Sequence, residues 1–213
     1  DTDPFVPNTF IGSFRMEMHR FKDGTEVKDS PTNLHYWSSA DMTLMRNVMA
    51  EQKKGQDMKI LTDLKGKWQY MLTTDEKGKK TAMKSRKKKL VTSETQADAE
   101  KPDINVTSET RMIDGHLCKK VIVTSEDGVW TGWVAEDLPA PFTDMARQIK
   151  TADPAMNRRI SAVKGMPLEF EWVDANGKDK MVCYMREVHA GSVDESVFSL
   201  DGYEVMEMPS YGQ

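Results

Sequence analysis

The sequence predicts a mainly β fold of the α+β type, built on an antiparallel sheet. Short runs of β-branched and aromatic residues recur along the chain, and turn sequences such as Asp127-Gly128 and Asn176-Gly177 separate them. The first run alternates apolar and polar residues, which is the period of a half-buried strand. Asp-Gly and Asn-Gly turns are typical of antiparallel hairpins, because glycine accepts the positive φ that a tight turn needs.

The first strand is predicted over residues 10–20. Its alternate positions are apolar or small at Phe10, Gly12, Phe14, Met16 and Met18, and polar at Ser13, Arg15, Glu17 and His19. This pattern indicates one buried and one solvated face. After a turn at residues 22–24, residues 34–37 are predicted to form the next strand.

Residues 41–50 fit two patterns. Met42, Met45 and Met49 fit a helical stripe, whereas Met42, Leu44 and Val48 fit a strand interrupted at Arg46. The strand is favoured because strand-like segments flank it on both sides. Three more strands are predicted at residues 58–62, 67–73 and 79–85, and the middle one carries Trp68, Tyr70 and Leu72 on one face.

A charged and polar segment at about residues 86–105 is predicted to be a surface loop within a single domain of residues 1–213. Strands at 117–124 and 129–135 then form a hairpin. Two helices are predicted next, a short one at about 143–150 with Met145 and Ile149 inward, and one from Asp153 to Gly165 with an apolar stripe of Met156, Ile160 and Val163. Strands at 166–173 and 180–189 follow, and residues 197–208 are predicted to form an edge segment.

The composition is typical of a globular protein. The chain has 213 residues, a net charge of -4, 30% charged and 38% hydrophobic residues, and a mean hydropathy of -0.63. No apolar run reaches the roughly 20 residues that a membrane-spanning helix needs. A cleaved export signal and a trimmed chain would both explain the start at Asp1, and we favour the export signal. The basic residues between Lys77 and Lys89 lack interleaved aromatic residues, so they indicate a solvated surface and predict no nucleic-acid partner.

Motifs for catalysis or metal binding are missing from the sequence. It contains no nucleophile elbow, zinc-protease, phosphate-loop or dinucleotide signature. His19, His35, His116 and His189 lie in separate strand-like runs, and Glu169 and Glu171 alternate with apolar residues as on a solvated face. The sequence therefore predicts no enzyme, no cofactor and no metal site. Cys118 and Cys183 are compatible with either a disulfide or two free buried thiols.

The sixteen methionines allow three interpretations. The pairs Met16–Met18 and Met206–Met208 offer thioether sulfur, a ligand for Cu(I). A Met-x-Met pair on a strand also places both side chains on one core face, where methionine simply packs. In a concave, aromatic-rich surface, methionine suits adaptable binding of apolar ligands, because its side chain can repack.

Several segments together resemble an uncharacterised family of exported bacterial domains, which are similar in layout to the LolA/LolB-type lipoprotein carriers. They are residues 10–18, 113–120, 133–138, 165–168, 193–198 and Gly202-Tyr203. The resemblance covers nearly the whole chain and rests on structural rather than catalytic motifs. It implies a strongly curved antiparallel sheet, a half-open β-barrel with one or two helices closing its mouth, in the periplasm or cell envelope. The carriers hold acyl chains on the concave face.

The leading hypothesis is a non-enzymatic envelope protein that binds an apolar or amphipathic ligand, a lipid or an acylated chain, with peripheral membrane contact. An incomplete barrel leaves inward apolar side chains without partners, and a ligand would remove them from water. The candidate lining is Phe14, Met16, Met18, Trp68, Tyr70, Trp133, Phe170, Trp172 and Met185. The alternatives are an interaction module whose barrel is filled by its own side chains, and a Cu(I) binder acting through the Met-x-Met pairs.

Overall fold

The computed structural model describes residues 4–49, 57–87, 103–146 and 163–208. The strands are β1 (Gly12–Lys22), β2 (Thr25–Glu26), β3 (Thr32–Ser38), β4 (Met42–Met49), β5 (Asp57–Asp63), β6 (Trp68–Thr74), β7 (Lys80–Arg86), β8 (Asp103–Ile113), β9 (His116–Ser125), β10 (Gly128–Ala135), β11 (Met166–Asp174), β12 (Asp179–Ala190) and β13 (Glu204–Glu207). The helices described are α1 (Phe142–Ala146) and a 3-10 helix (Glu195–Phe198).

Contacts within the chain define two compact units. The first unit comprises residues 1–16, 32–89 and 187–213, and its strand order includes β13-β7-β6-β5-β4-β3. The second unit comprises residues 17–31 and 90–186, and its order includes β12-β11-β10-β9-β8. Antiparallel pairs dominate, and β13 runs parallel to β7.

The predicted fold class is confirmed: the described chain is mainly β, and its antiparallel sheet is unclosed. Among the described strands, β13 and β8 each have a neighbour on one side only. The strand favoured for residues 41–50 is present as β4, paired with β3 and β5. The half-open barrel with helices at its mouth, and the single domain over the whole chain, stay predictions.

The structure differs from the prediction around β8. This strand begins at Asp103, so residues 103–105 belong to a strand rather than to the end of the surface loop. Residues 103–112 of β8 are mostly exposed, because the strand lies at a sheet edge. An edge strand that is solvated on both sides carries no alternation of apolar and polar residues, and this explains why the sequence pattern did not reveal it.

The predicted helices fall largely outside the described residues. Of the shorter one, residues 142–146 are described as α1, and Met145 is buried as expected. Residues 153–162 of the helix predicted from Asp153 to Gly165 lie outside the described residues. The final edge segment is confirmed by β13, which adds to β7 after the 3-10 helix.

Candidate functional site

One face of the first unit's sheet is covered by the chain's own C-terminal segment. Leu44, Leu61, Leu72 and Ala82 on successive strands form a buried cluster with Phe198 of the 3-10 helix. The partly buried residues packed against this cluster are Trp37, Met42, Tyr70, Val193, Val197, Leu200 and Tyr203. This face is therefore filled by side chains from within the protein.

The opposite face of the same sheet carries a row of apolar residues, one on each of six neighbouring strands. The strand register aligns Tyr36, Met45, Ile60, Met71, Met83 and Met206 from β3 to β13. We call this set the methionine row. Four of its six members are methionines, which suits a surface that must fit apolar groups of variable shape.

The methionine row is buried at β3 and exposed at β13. Tyr36 is 0% exposed and Met45 9%, whereas Met206 is 50% exposed, and the three residues between Met45 and Met206 are partly buried. Met58 lies two residues before Ile60 on β5, on the same face, and is 44% exposed. The row thus begins in the core and ends at solvent.

The buried end of the row continues into an aromatic group. Phe14 lies 5.1 Å from Tyr36 between ring centroids, and Phe10 lies 5.6 Å from Phe14. Both phenylalanines and the tyrosine are almost fully buried. These rings fix the inner boundary of the methionine row.

A second apolar face lies in the second unit. The register aligns Ile104, Val123, Trp130, Trp172 and Met181 across β8 to β12, and next to them Val106, Val121, Gly132, Phe170 and Cys183. Trp130 and Phe170 are in ring contact at 5.7 Å, and Phe142 of α1 meets Phe170 edge-on at 5.8 Å. We call this surface the tryptophan face.

Two donors on the tryptophan face have no acceptor within the described residues. The indole nitrogens of Trp130 and Trp172 are both buried, and neither makes a hydrogen bond. Trp130 as a whole is 2% exposed. Leaving a buried donor unsatisfied costs about 1–3 kcal/mol, so two such donors on paired residues need an explanation.

The other face of the second unit is polar. Trp133 lies on it, with the Arg111 guanidinium 4.5 Å from its ring centroid. Arg111 pairs with Glu169, and Arg186 lies 3.9 Å from the same carboxylate. Lys120 pairs with Glu109 at 3.0 Å. This face is a network of ion pairs around one tryptophan.

The nine predicted site residues divide among these surfaces. Phe14 and Met16 lie on the buried-face positions of β1, and Phe14 contacts the methionine row. Phe170, Trp172 and Met185 share the buried face of the second unit, and Met18 is partly buried on β1. The remaining residues lie elsewhere: Trp68 and Tyr70 lie on the covered face of the first unit, and Trp133 lies on the polar face. Their role as a ligand lining stays a prediction.

Sequence patterns missed Ile60, Met71 and Met83 of the methionine row, and Trp130 of the tryptophan face. The alternation in β6 predicts that Trp68, Tyr70 and Leu72 form one apolar face and that Met71 lies on the opposite face. That opposite face would be solvated if the sheet were buried on one side only. Strands buried on both faces lack that alternation. The register that aligns the row joins six strands and cannot be read from any one of them.

Both cysteines are free and buried. Burial raises the pKa of the Cys183 thiol to about 12, and burial also raises the pKa of Cys118. Thiols of this kind are weak nucleophiles at neutral pH. The structure thus shows two free thiols, one of the two arrangements that the sequence allowed.

The described histidines do not assemble into a metal-binding group with cysteine or carboxylate side chains. Within the described part of the chain, no three His, Cys, Asp or Glu side chains come together as a metal-binding group. Met206 and Met208 are both about half exposed, and Met83 is in register with Met206. The Cu(I) interpretation of the Met-x-Met pairs stays a prediction.

His19 is held between two carboxylates. Its Nε2 lies 3.1 Å from Glu17 Oε1, and its Nδ1 lies 2.7 Å from Glu26 Oε1. The hydrogen bond to Glu17, together with that to Glu26, raises the pKa of His19 above its ordinary value. Ser30 donates a 2.6 Å hydrogen bond to the same Glu26 oxygen. This cluster ties β1 to the turn that follows it.

No helix among the described residues has the length and apolar character required to cross a membrane.

Comparison with known proteins gives a family but no activity. The model of the family described as domain of unknown function DUF4412 matches residues 10–202. No curated protein matches the sequence.

Among solved structures, the chain is similar to PNGF-II, with 14% identity, 93% of this chain covered and a TM-score of 0.38. The matched part is 31% of the PNGF-II chain, so this chain spans less than a third of that protein. It is also similar to a DUF1329 family protein from Desulfovibrio piger, at 9% identity, 88% and 89% coverage and a TM-score of 0.33. A domain from Vibrio parahaemolyticus, described as an outer membrane lipoprotein-sorting protein, is 9% identical over 88% and 89% of the two chains, with a TM-score of 0.32. At such TM-scores, these likenesses carry no argument about function.

Proposed function

The chain belongs to the DUF4412 family, a domain of unknown function, and we propose that it binds an apolar or amphipathic ligand, a lipid or an acylated chain, along the methionine row. The observation that carries this proposal is the difference between the two faces of one sheet. The chain's own C-terminal segment covers one face, and the row on the other face ends at Met206, which is half exposed.

Burial of the row's exposed end supplies the driving force. Met58 and Met206 are 44% and 50% exposed, and a ligand that covers them gains about 25 cal/mol per Å² of apolar surface removed from water. The six residues of the row are uncharged, so a ligand that stays on the row buries no charged side chain in register with it. The adjacent row on the same face runs from Met58 through Thr73 and Thr81 to the charged Glu204.

The length and chemistry of the row suit an extended hydrocarbon chain. Neighbouring strands lie about 4.8 Å apart, so the five steps from Tyr36 to Met206 span about 24 Å. This is the order of length of an extended fatty acyl chain. Methionine side chains rotate about three bonds and can follow chains of different shape.

The basic residues of β7 lie on the face opposite the methionine row. Lys84 and Arg86 alternate with Met83, and both lie over the Trp68 ring, with Nζ 3.8 Å and the guanidinium carbon 3.6 Å from the ring centroid. They therefore do not reach a ligand that lies along the row, and the proposal depends on apolar contact alone. A setting in the periplasm or cell envelope with peripheral membrane contact belongs to this proposal.

The proposal is tested by exchanging two neighbouring residues of β13. Met206 belongs to the row and is 50% exposed, whereas Val205 points to the other face and is 49% exposed. We expect Met206→Gln to weaken binding of the fluorescent fatty acid 11-(dansylamino)undecanoic acid about three- to tenfold, since one methionine contact is replaced by a polar group. Val205→Gln, matched in exposure, should change the dissociation constant less than twofold.

Equal affinity of the two variants would contradict the methionine row as the site. Failure of the wild-type protein to bind the probe would favour the alternative of an interaction module. In that case the edge strand β13, whose four residues are all exposed, is the surface to test next.

A further inference from the structure

We propose that Trp130 and Trp172 form a two-donor anchor for the carbonyl oxygen of an acylated molecule, an ester or an amide. The anchor lies in the second unit and is inferred from its own observations. It does not depend on the methionine row.

The two tryptophans are direct partners on neighbouring strands. Trp130 of β10 opposes Trp172 of β11 in the register, and the flanking positions of the same row are Val123 and Met181. The Cβ atoms of directly opposed residues lie about 5 Å apart. The two side chains therefore leave the same face of the sheet from directly opposed positions.

Both indole nitrogens are buried, and both lack an acceptor within residues 4–49, 57–87, 103–146 and 163–208. A buried tryptophan usually finds a partner for its N–H. A single unsatisfied donor is compatible with packing alone. Two on directly opposed residues indicate a position where an oxygen atom from outside the chain accepts from both.

The surroundings select a neutral acceptor. The residues in register with the two tryptophans are Ile104, Val123 and Met181, and the adjacent row consists of Val106, Val121, Gly132, Phe170 and Cys183. All are uncharged, and the Cys183 thiol stays protonated because burial raises its pKa to about 12. An ionised carboxylate or phosphate buried here would meet no positive charge among the residues in register, whereas an ester or amide carbonyl needs only the two donors.

The apolar part of the same ligand has a matching surface. Phe170 contacts both Trp130 and Phe142 of α1, so three aromatic rings continue from the anchor towards the helix. Val106 and Ile104 on β8 are 56% and 39% exposed at the other end of the two rows. A molecule with one carbonyl and a hydrocarbon chain can use the donors and the apolar rows together.

The test is nuclear magnetic resonance of the five tryptophan side chains in the full-length protein, titrated with methyl octanoate. We expect the Nε1–H signals of Trp130 and Trp172 to move downfield with a common saturation curve, because both protons enter hydrogen bonds. The Nε1–H signal of Trp133, on the opposite face of β10, should stay in place. N-Methyloctanamide should give the same pattern, and octanoate should bind at least tenfold more weakly.

Variants separate hydrogen bonding from ring packing. Trp172→Phe and Trp130→Phe keep an aromatic ring and remove the N–H, and each should weaken methyl octanoate binding about five- to tenfold, the effect of one lost neutral hydrogen bond. Trp133→Phe is the matched control on the same strand and should stay within twofold. If Trp130→Phe does not fold, Trp172→Phe and the wild-type titration still decide the question.

The proposal is overturned if methyl octanoate does not bind, if the two indole signals remain in place at saturation, or if the Phe variants bind with wild-type affinity. Equal affinity for octanoate would overturn the neutral carbonyl as the ligand group. Met206→Gln serves to distinguish the two sites: loss of dansyl fatty acid binding with unchanged indole shifts assigns the effects to separate surfaces. If methyl octanoate shifts the indole signals but Met206→Gln changes the binding of neither probe, the two-donor anchor is supported and the methionine row is contradicted as a binding site.

Discussion

At the scale of single residues, the tryptophan face depends on a glycine. The six-membered ring of Trp130 lies over Gly132, where a Cβ atom would stand 2.2 Å from the Trp130 Cη2 atom. Gly132 has an ordinary backbone conformation, so space rather than φ excludes a side chain. Val121 and Phe170 flank the glycine in register, and the Phe170 ring contacts the Trp130 ring.

We expect Gly132→Ala to destabilise the protein by about 1–3 kcal/mol, because the ring must leave its position in a packed core. Chemical denaturation measures this loss. The Trp130→Leu background is the control, since it removes the clashing ring and should reduce the cost of Gly132→Ala. An equal cost in both backgrounds would show that the ring is not responsible.

His19 couples protonation to stability. Protonated His19 donates to both Glu17 and Glu26, and these bonds raise its pKa. A group with a raised pKa in the folded state contributes its full stabilisation below its unfolded pKa, and this contribution is lost as pH rises through the folded pKa.

The wild-type protein should therefore lose stability relative to His19→Gln as pH rises from 6 to 8. Glutamine cannot titrate, so the variant supplies the baseline for every other group. Unfolding free energies at several pH values, measured for both proteins, test this. Parallel pH profiles would show that the cluster does not couple protonation to folding.

At the scale of elements, the 3-10 helix Glu195–Phe198 closes one face of the first unit. Asp194 caps it by accepting a 3.0 Å hydrogen bond from the Ser196 amide. Its last residue, Phe198, is 7% exposed and packs against Leu44 and Leu61. This short element determines which side of the sheet the chain covers by itself.

We expect Phe198→Ala to cost about 3–5 kcal/mol, because a buried ring is replaced by a cavity. Glu195→Ala on the exposed side of the same helix should stay within about 0.5 kcal/mol. Urea denaturation of both variants measures the difference. A small effect of Phe198→Ala would mean that the C-terminal segment does not contribute to the first unit's core.

Prediction of elements from the sequence succeeded where one face is buried. The first strand and β11 show clear alternation, and the Asp127-Gly128 turn marks the hairpin of β9 and β10. β8 was missed because both of its sides are largely solvated. The sequence predicts Trp133 and Phe170 in the same candidate ligand lining. The register pairs Trp133 with Glu169, on the other face of the sheet from Phe170.

At the scale of the whole molecule, the sequence by itself determined the mainly β class, most strands and the family. These follow from local properties: side-chain period, turn residues and motifs within short segments. The tertiary structure alone decided which strands are neighbours and in which register. It therefore decided the methionine row and the pairing of Trp130 with Trp172, because both sets unite residues from strands far apart in the chain. Strand pairing is a non-local choice, and the physical environment of a side chain exists only after that choice is made.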